Sequence, residues 1–309
     1  MERRNLLDHI WVVLKGMAMG AADVVPGVSG GTIAFISGIY EELITSINTI
    51  RPSLLTTWRR QGFKAFWNAM NGNFLLALFL GIAISVVTLA RLISWLLTAQ
   101  PVLIWSFFFG LVLASVIYVA KAISRWSLSV AAMGLLGAAI AVVVVSLPVS
   151  AQSTSLPYLF LSGALAVCAM ILPGISGAFI LVLLGSYRTL LEALHQRDYQ
   201  VMLVAIAGAV FGLLSFARLL KWMFSRFRDP TLALLTGFIL GSLLKIWPWK
   251  EALETRVYDG KTLVVNEANV APWDYSGEPQ IGWALLLAAV GFSLIFALEG
   301  LASRKNSVD

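Results

Sequence analysis

Apolar residues in this chain do not alternate with polar ones; they run. Uninterrupted or nearly uninterrupted apolar stretches fall at about residues 10–47, 74–98, 102–120, 128–148, 157–186, 199–224, 231–248 and 281–300. Stretches near or above roughly 18–20 residues are long enough to cross hydrocarbon as a helix, so the pattern predicts an all-α polytopic membrane protein. Two of them, 10–47 and 157–186, are interrupted. The first holds Gly20, Asp23, Pro26, Gly27, Ser29, Gly30, Gly31 and Thr32 at its centre. Pro26 lacks a backbone donor and clashes with the preceding turn, which breaks a helix there, and neighbouring glycines let the chain reverse. A helix broken inside a bilayer exposes backbone groups that only protein or a polar cavity can satisfy. Each break is therefore expected to be a re-entrant or broken hairpin at a ligand site.

The interruption occurs twice. Leu172-Pro173-Gly174-Ile175-Ser176-Gly177-Ala178-Phe179-Ile180 matches Val25-Pro26-Gly27-Val28-Ser29-Gly30-Gly31-Thr32-Ile33, and the match continues to Gly185 and Tyr187 against Gly38 and Tyr40. Ala217-Arg218-Leu219 repeats Ala90-Arg91-Leu92, with Gly237 and Ser242 following as Gly110 and Ser115 do. The expected architecture is one membrane domain of two repeats. Repeat 1, residues 1–148, comprises hairpin 10–47 and spans 74–98, 102–120 and 128–148; repeat 2, residues 149–309, comprises hairpin 157–186 and spans 199–224, 231–248 and 281–300. A hairpin plus three crossings is an odd number, so the second repeat is expected to be inverted relative to the first. The Pro-Gly-x-Ser-Gly tips then meet near the midplane, the arrangement of alternating-access transporters.

Composition agrees. The 309 residues are 59% hydrophobic and 12% charged, which excludes an ordinary soluble domain. The net charge of +6 would suit nucleic acid, but the basic residues sit on one set of loops: 48–73 (with Arg51, Arg59, Arg60 and Lys64), 121–127, 225–230 and the C-terminus. The loops near 100, 149–156, 187–198 and 249–280 are neutral or acidic. By the positive-inside rule both termini are expected to be cytoplasmic. The N-terminal Met1-Glu2-Arg3-Arg4 reads as a retained end rather than a signal peptide, and Cys168 alone cannot form an intramolecular disulfide.

Candidate chemistry concentrates at the breaks. Each tip precedes a fresh apolar helix, whose free N–H groups and positive dipole end suit phosphate. Ser29, Gly30, Gly31, Thr32, Ser176 and Gly177 are the expected phosphate-binding set, with Pro26, Gly27, Pro173 and Gly174 making the breaks. Close packing through small residues is the plainer alternative. Arg91 and Arg218 occupy equivalent positions, the first toward the outer face and the second toward the cytoplasmic one. Both suit phosphate oxygens, and both suit snorkelling to headgroups. Asp23 has no acidic counterpart, because Met170 stands at the matching position. An acid there suits a coupling proton or sodium ion, or a cap on backbone donors at the break. Glu41, at the end of the first hairpin, is a second gating candidate. No histidine, cysteine and carboxylate spacing suggests a metal, no Walker A lysine is present, and no cofactor or catalytic residue is expected.

At Gly20–Ile33, and again at 173–177, the chain closely resembles the PopT polyprenyl-phosphate transporter family, over nearly its whole length. The resemblance implies inverted repeats with re-entrant hairpins and translocation of undecaprenyl phosphate back to the cytoplasmic leaflet, with no enzymatic step. The second copy carries Ala178-Phe179 where the first carries Gly31-Thr32, so the tips differ in donors. Undecaprenyl-pyrophosphate phosphatases look similar, but Gly30 and Gly177 stand where their motif has an arginine. A small-anion channel or exchanger is the third reading.

Overall fold

The computed structural model describes residues 5–25, 28–258 and 261–306, with side chains outside 254–266 and 298–306. Thirteen helices and one strand pair are formed among them. The first apolar stretch gives α1 (Leu6–Asp23), α2 (Gly30–Ile36) and α3 (Tyr40–Asn48). After α4 (Pro52–Ala69) come α5 (Gly72–Ala99), α6 (Pro101–Lys121) and α7 (Leu128–Ser146). The second half repeats the order: α8 (Leu156–Ile171), α9 (Gly177–Leu183), α10 (Tyr187–Gln196), α11 (Tyr199–Arg226), α12 (Arg228–Ser242) and, after the strands, α13 (Ile281–Asn306). The chain is thus nearly all-α and multi-pass. Five helices are long and apolar enough to cross a membrane, and six if α9 and α10, bent by 101° at their junction, count as one broken span.

Local sequence sets the boundaries. Asn5 and Asp8 form a reciprocal capping box at the start of α1, Oδ1 of Asn5 accepting from Asp8 N–H and Oδ2 of Asp8 from Asn5 N–H. Asp198 accepts from the N–H groups of Gln200 and Val201 to start α11. Prolines stand in the first turns of α4, α6 and α8, where a missing N–H costs nothing.

Helices associate through glycine contacts made from both partners. In the α1–α5 pair a Cβ on Gly16 would lie 2.3 Å from the Leu78 carbonyl oxygen, and one on Gly81 2.1 Å from that of Val13. In α8–α11, Gly163 meets Ala205 and Gly208 meets Phe160 in the same way. Pairing then crosses the halves, with α6 on α13 through Gly110 and Gly291, and α7 on α12 through Gly137 and Gly237. Exchanging the two halves maps α1–α5 onto α8–α11 and α6–α13 onto α12–α7. Bilayer lipid is as apolar as leucine, so close backbone approach supplies association that burial alone does not. Outward faces are correspondingly greasy, with Leu76, Phe79, Val87, Leu135, Leu203 and Phe211 all exposed.

Three segments read as loops have structure. Residues 52–69 form α4, which bends at Gly62, where φ is 81°. Residues 187–196 form α10, and the long loop 249–280 contains an antiparallel pair, β1 (Lys250–Tyr258) with β2 (Lys261–Asn269). The strand sequences carry charges at Lys250, Glu251, Glu254, Arg256, Lys261 and Glu267, too polar for a membrane span, while Trp247 and Trp249 tie the base of the pair through Nε1 to the carbonyls of Val270 and Pro279. Lys250 lies under this base, donating to the Lys245 carbonyl at 2.6 Å and standing 4.0 Å from the centre of the Trp105 ring. Glu267 lies 3.6 Å from both lysines.

Two outcomes follow from this packing. Replacing Gly237 by alanine, whose Cβ would meet the Gly134 carbonyl oxygen at 1.8 Å, is expected to lower the thermal midpoint in detergent, at a cost on the order of 1–3 kcal/mol. Gly134→Ala, with its nearest contact at 3.5 Å, should change it little. For Lys250, burial pushes the ammonium down from 10.5 to about 8, against an opposing pull from Glu267. The folded chain therefore releases this proton at lower pH than the unfolded chain does. Its penalty is complete below about pH 8 and fades towards 10.5, so this group makes stability rise with pH across that window. Thermal melts of the unmodified chain and of Lys250→Met across the window should differ in slope, the variant lacking the rise.

Candidate functional site

The two interrupted hairpins meet, and they do so through backbone groups freed by the breaks. Ser29, fully buried, caps α2: its Oγ accepts from Gly31 N–H at 3.0 Å. The same hydroxyl lies 3.1 Å from the carbonyl oxygens of both Met170 and Leu172, and donates its single proton across to the other hairpin. In return Gly174 N–H donates to Thr32 Oγ1 at 2.9 Å, inside the protein. Carbonyls at the end of α8 and an amide at the second break are thus satisfied by hydroxyls of the first tip. Inside hydrocarbon no water would do it.

The glycines of the first tip are required by space. A Cβ on Gly30 would stand 2.5 Å from the Asp23 carboxylate, and one on Gly31 2.6 Å from the Ile171 carbonyl oxygen. Gly174 combines a left-handed φ of 102° with contact to Ser242 on α12, a conformation other residues reach only under strain. Pro173 is buried beside it. Pro26 and Gly27 lie outside the described residues.

α1 brackets α2 with opposite charges. Asp23 Oδ1 accepts from Gly30 N–H at 2.7 Å, and Lys15 Nζ donates to the Ser37 carbonyl at 2.7 Å. An anion at the N-terminal end and a cation at the C-terminal end match the helix dipole. The second hairpin has no such carboxylate, because Met170 stands in the place of Asp23. Ser176, though buried, makes no capping bond at the start of α9. Gly177 packs against the Ala166 carbonyl of its own hairpin. The two helix starts are therefore chemically unequal: one already holds an anion and the other does not.

Arg91 and Arg218 are not brought to the tips. Each projects from the exposed side of its helix, α5 or α11, with no hydrogen bond or ion pair recorded to another described residue. Glu41, at the start of α3, pairs instead with Arg228 at 3.2 Å. Sequence reading missed Asn48. It is 3% exposed, and its Nδ2 donates to the carbonyls of Ile44 and, at 2.6 Å, Ala217 on α11. An amide ending an apolar helix was its only signal, and that reads equally well as the first residue of a loop.

A family model described as undecaprenyl phosphate translocase-like matches residues 19–263, a stretch that holds both tips and all the elements joining them. The chain belongs to that family. A polyprenyl-phosphate transporter of Vibrio cholerae serotype O1 is 46% identical over 306 residues, 96% of this chain and 98% of the relative. A protein of the same name in Staphylococcus aureus is 32% identical over 258 residues, 77% of this chain and 86% of that one. No solved structure matches. For a translocase-like family the interlocked tips are the natural place to look for head-group chemistry, since no other described site joins both hairpins.

Thr32→Val keeps the shape of the side chain and removes the acceptor for Gly174 N–H. Leaving that amide unpaired is expected to cost about 1–3 kcal/mol, seen as a lower thermal midpoint and faster hydrogen exchange at Gly174. Unchanged exchange there would mean that the tips are held by something else.

Proposed function

We propose that this protein translocates undecaprenyl phosphate across the bacterial cytoplasmic membrane, returning the lipid carrier to the cytoplasmic leaflet. The observation that carries the reading is the exchange of hydroxyl and backbone hydrogen bonds between the two tips, in a chain of this family. A phosphate head brought into hydrocarbon loses its water at heavy cost unless donors replace it. Ser29, Thr32 and the N–H groups of Gly30, Gly31, Gly174 and Gly177 are such donors, gathered in one place. Several have a partner to trade: Ser29 gives up a carbonyl for a phosphoryl oxygen, and Gly174 N–H gives up Thr32. The prenyl tail stays in lipid and needs no site.

Asp23 explains why such a cycle needs a coupled ion. Its carboxylate holds Gly30 N–H, and a phosphate arriving there faces like charge. A proton on Asp23, or a sodium ion beside it, removes the repulsion and frees the amide. Arg91 and Arg218 serve the two approaches to the tips from opposite leaflets, with the halves inverted and both termini cytoplasmic.

Alternating access draws support from an asymmetry. α3 of the first half packs on α11 of the second, fastened by Asn48 to the Ala217 carbonyl, and Glu41 pairs with Arg228 at the start of α12. The matching helix of the second half, α10, makes no comparable contact with α5 and packs on α11 instead. One mouth is thus closed across the halves while its counterpart is not. Exchanging these arrangements between the halves gives the opposite state. No bond to phosphorus is broken in this cycle.

Purified protein in proteoliposomes with undecaprenyl phosphate should move the headgroup between leaflets, faster with a pH gradient, and release no phosphate. Ser29→Ala and Gly30→Leu should abolish movement while still inserting, and Arg91→Ala should slow loading from the outer face by about tenfold or more. Normal rates in all three variants would overturn the assignment of the site, and phosphate release would replace the translocase by a hydrolase.

A further inference from the structure

A second constellation lies away from the tips, where α3 meets the end of α11. α3, the end of α11 and the first residue of α12 enclose a cavity of about 230 Å³, lined by Glu41, Ile44, Thr45, Lys221, Phe224, Ser225 and Arg228. Its lining has two cations and one carboxylate. Arg228 is engaged by Glu41, in a pair of which both members are more than half exposed, the kind of contact worth about 0–1 kcal/mol and readily displaced. Lys221 has no hydrogen-bond or ion-pair partner among the described residues. The Ser225 hydroxyl is at hand beside it, donating only to the Trp222 carbonyl within its own helix.

Two further observations give the cavity a ligand class. Its floor is apolar, from Ile44 and Phe224, and next in sequence to its lining residues Lys221 and Arg228 stand Trp222 and Phe227, exposed rings with centroids 5.6 Å apart. Exposed tryptophan beside cations marks headgroup depth in a bilayer, where lipid phosphates lie. Behind Phe224, edge-on to it at 6.1 Å, stands Tyr40, 2% exposed, with a hydroxyl that has no partner among the described residues. A buried unpaired hydroxyl costs free energy in this state. It is relieved in any state where the ring moves aside and an anion reaches it. Phe35 completes this aromatic group, at 4.9 Å from Tyr40, and connects it to α2, the helix Ser29 caps.

We propose that this cavity is a headgroup site for a prenyl monophosphate at the basic face of the membrane, distinct from the tips. Lys221 and Arg228 bind the phosphate, Ser225 donates to it, and Phe224 with Ile44 carries the first prenyl unit. Glu41 is the resident stand-in for the phosphate and leaves Arg228 when the lipid arrives. Arg218, one turn from Lys221 on α11, continues the basic face towards the tips. The site rests on the translocase reading for its cargo, but its residues differ from those at the tips.

The full chain in detergent would be titrated with farnesyl phosphate and, separately, with inorganic phosphate. Lys221→Gln should weaken farnesyl phosphate binding by about tenfold or more, and Lys221→Arg should restore it. Glu41→Gln should tighten it several-fold by releasing Arg228, a gain that a purely structural role for Glu41 would not give. Unchanged affinity in both Lys221→Gln and Glu41→Gln, with loss in Ser29→Ala, would overturn this cavity while leaving the tips in place. Inorganic phosphate binding as tightly, with the same dependence on Lys221, would overturn the lipid source. Failure of the unmodified chain to move undecaprenyl phosphate in proteoliposomes would overturn the cargo of both sites. Thermal midpoints check the fold of the Lys221 and Glu41 variants, which as exposed positions should leave it unchanged.

Discussion

A backbone broken inside hydrocarbon must find its hydrogen-bond partners in the protein, and the rest of this structure is arranged around that requirement. The first break supplies hydroxyls, Ser29 and Thr32; the second supplies what those hydroxyls need, the carbonyls of Met170 and Leu172 and the amide of Gly174. Neither hairpin is satisfied alone. The donors and acceptors left over when two helices stop in mid-membrane become the contact between the halves. Because these bonds are made to polar groups of moderate strength, they can be exchanged one for one with a polar ligand at small net cost.

That contact could not form unless the hairpins came close enough, and glycine sets the distance. Gly31 lets α2 lie against the Ile171 carbonyl, much as Gly16, Gly208, Gly110 and Gly237 let whole helices approach backbone to backbone. The same device therefore operates at the site and throughout the scaffold. It yields helices that hold by shape rather than by buried charge, and leaves the few intramembrane charges, Lys15 and Asp23, to the two ends of α2. The scaffold is rigid where the helices pair and chemically reactive only where they stop.

How much of this was legible in the sequence follows the same division. The apolar runs announced membrane helices because solvation by lipid imposes a length and a composition that few other structures share. The breaks were legible because proline and glycine act on the backbone directly, and their doubling marked the two hairpins whose ends meet. What sequence could not show is which partner each group takes. Ser29 and Thr32 looked like ligands waiting for phosphate, and Asp23 like a coupling acid or a cap at the break, whereas in this state all three are bonded within the protein. Arg91 and Arg218 suggested, by their equivalence, one phosphate-binding guanidinium on each access route; the structure leaves both on the exposed sides of their helices, away from the tips. α4, α10 and the strand pair hid in segments whose charge said only that they were outside the bilayer. Polar helices and hairpins carry no length constraint comparable to a membrane span. Lys250 is the plainest miss, a lysine in an acidic loop that folding places against Trp105 and under the strands.

The departure from symmetry at the tips carries the most meaning. Repetition of the Pro-Gly-x-Ser-Gly motif would, by itself, give two equal anion sites facing each other. Replacement of an acid by Met170 in the second copy makes them unequal: the start of α2 is occupied by Asp23, and the start of α9 is not. Two equal sites would leave a charged ligand without preference between halves, and occupancy of one would repel occupancy of the other. On the translocase reading proposed above, the ligand's preference would depend on the state of that carboxylate, because Asp23 already holds the Gly30 amide at the start of α2. The closed α3–α11 mouth and the absence of its α10–α5 counterpart express the same inequality on the scale of whole helices. The bond from Gly30 to Asp23 and the contact of α3 with α11 thus place the difference between the halves at two scales, one amide and one helix pair, and the proposed transport cycle draws on both.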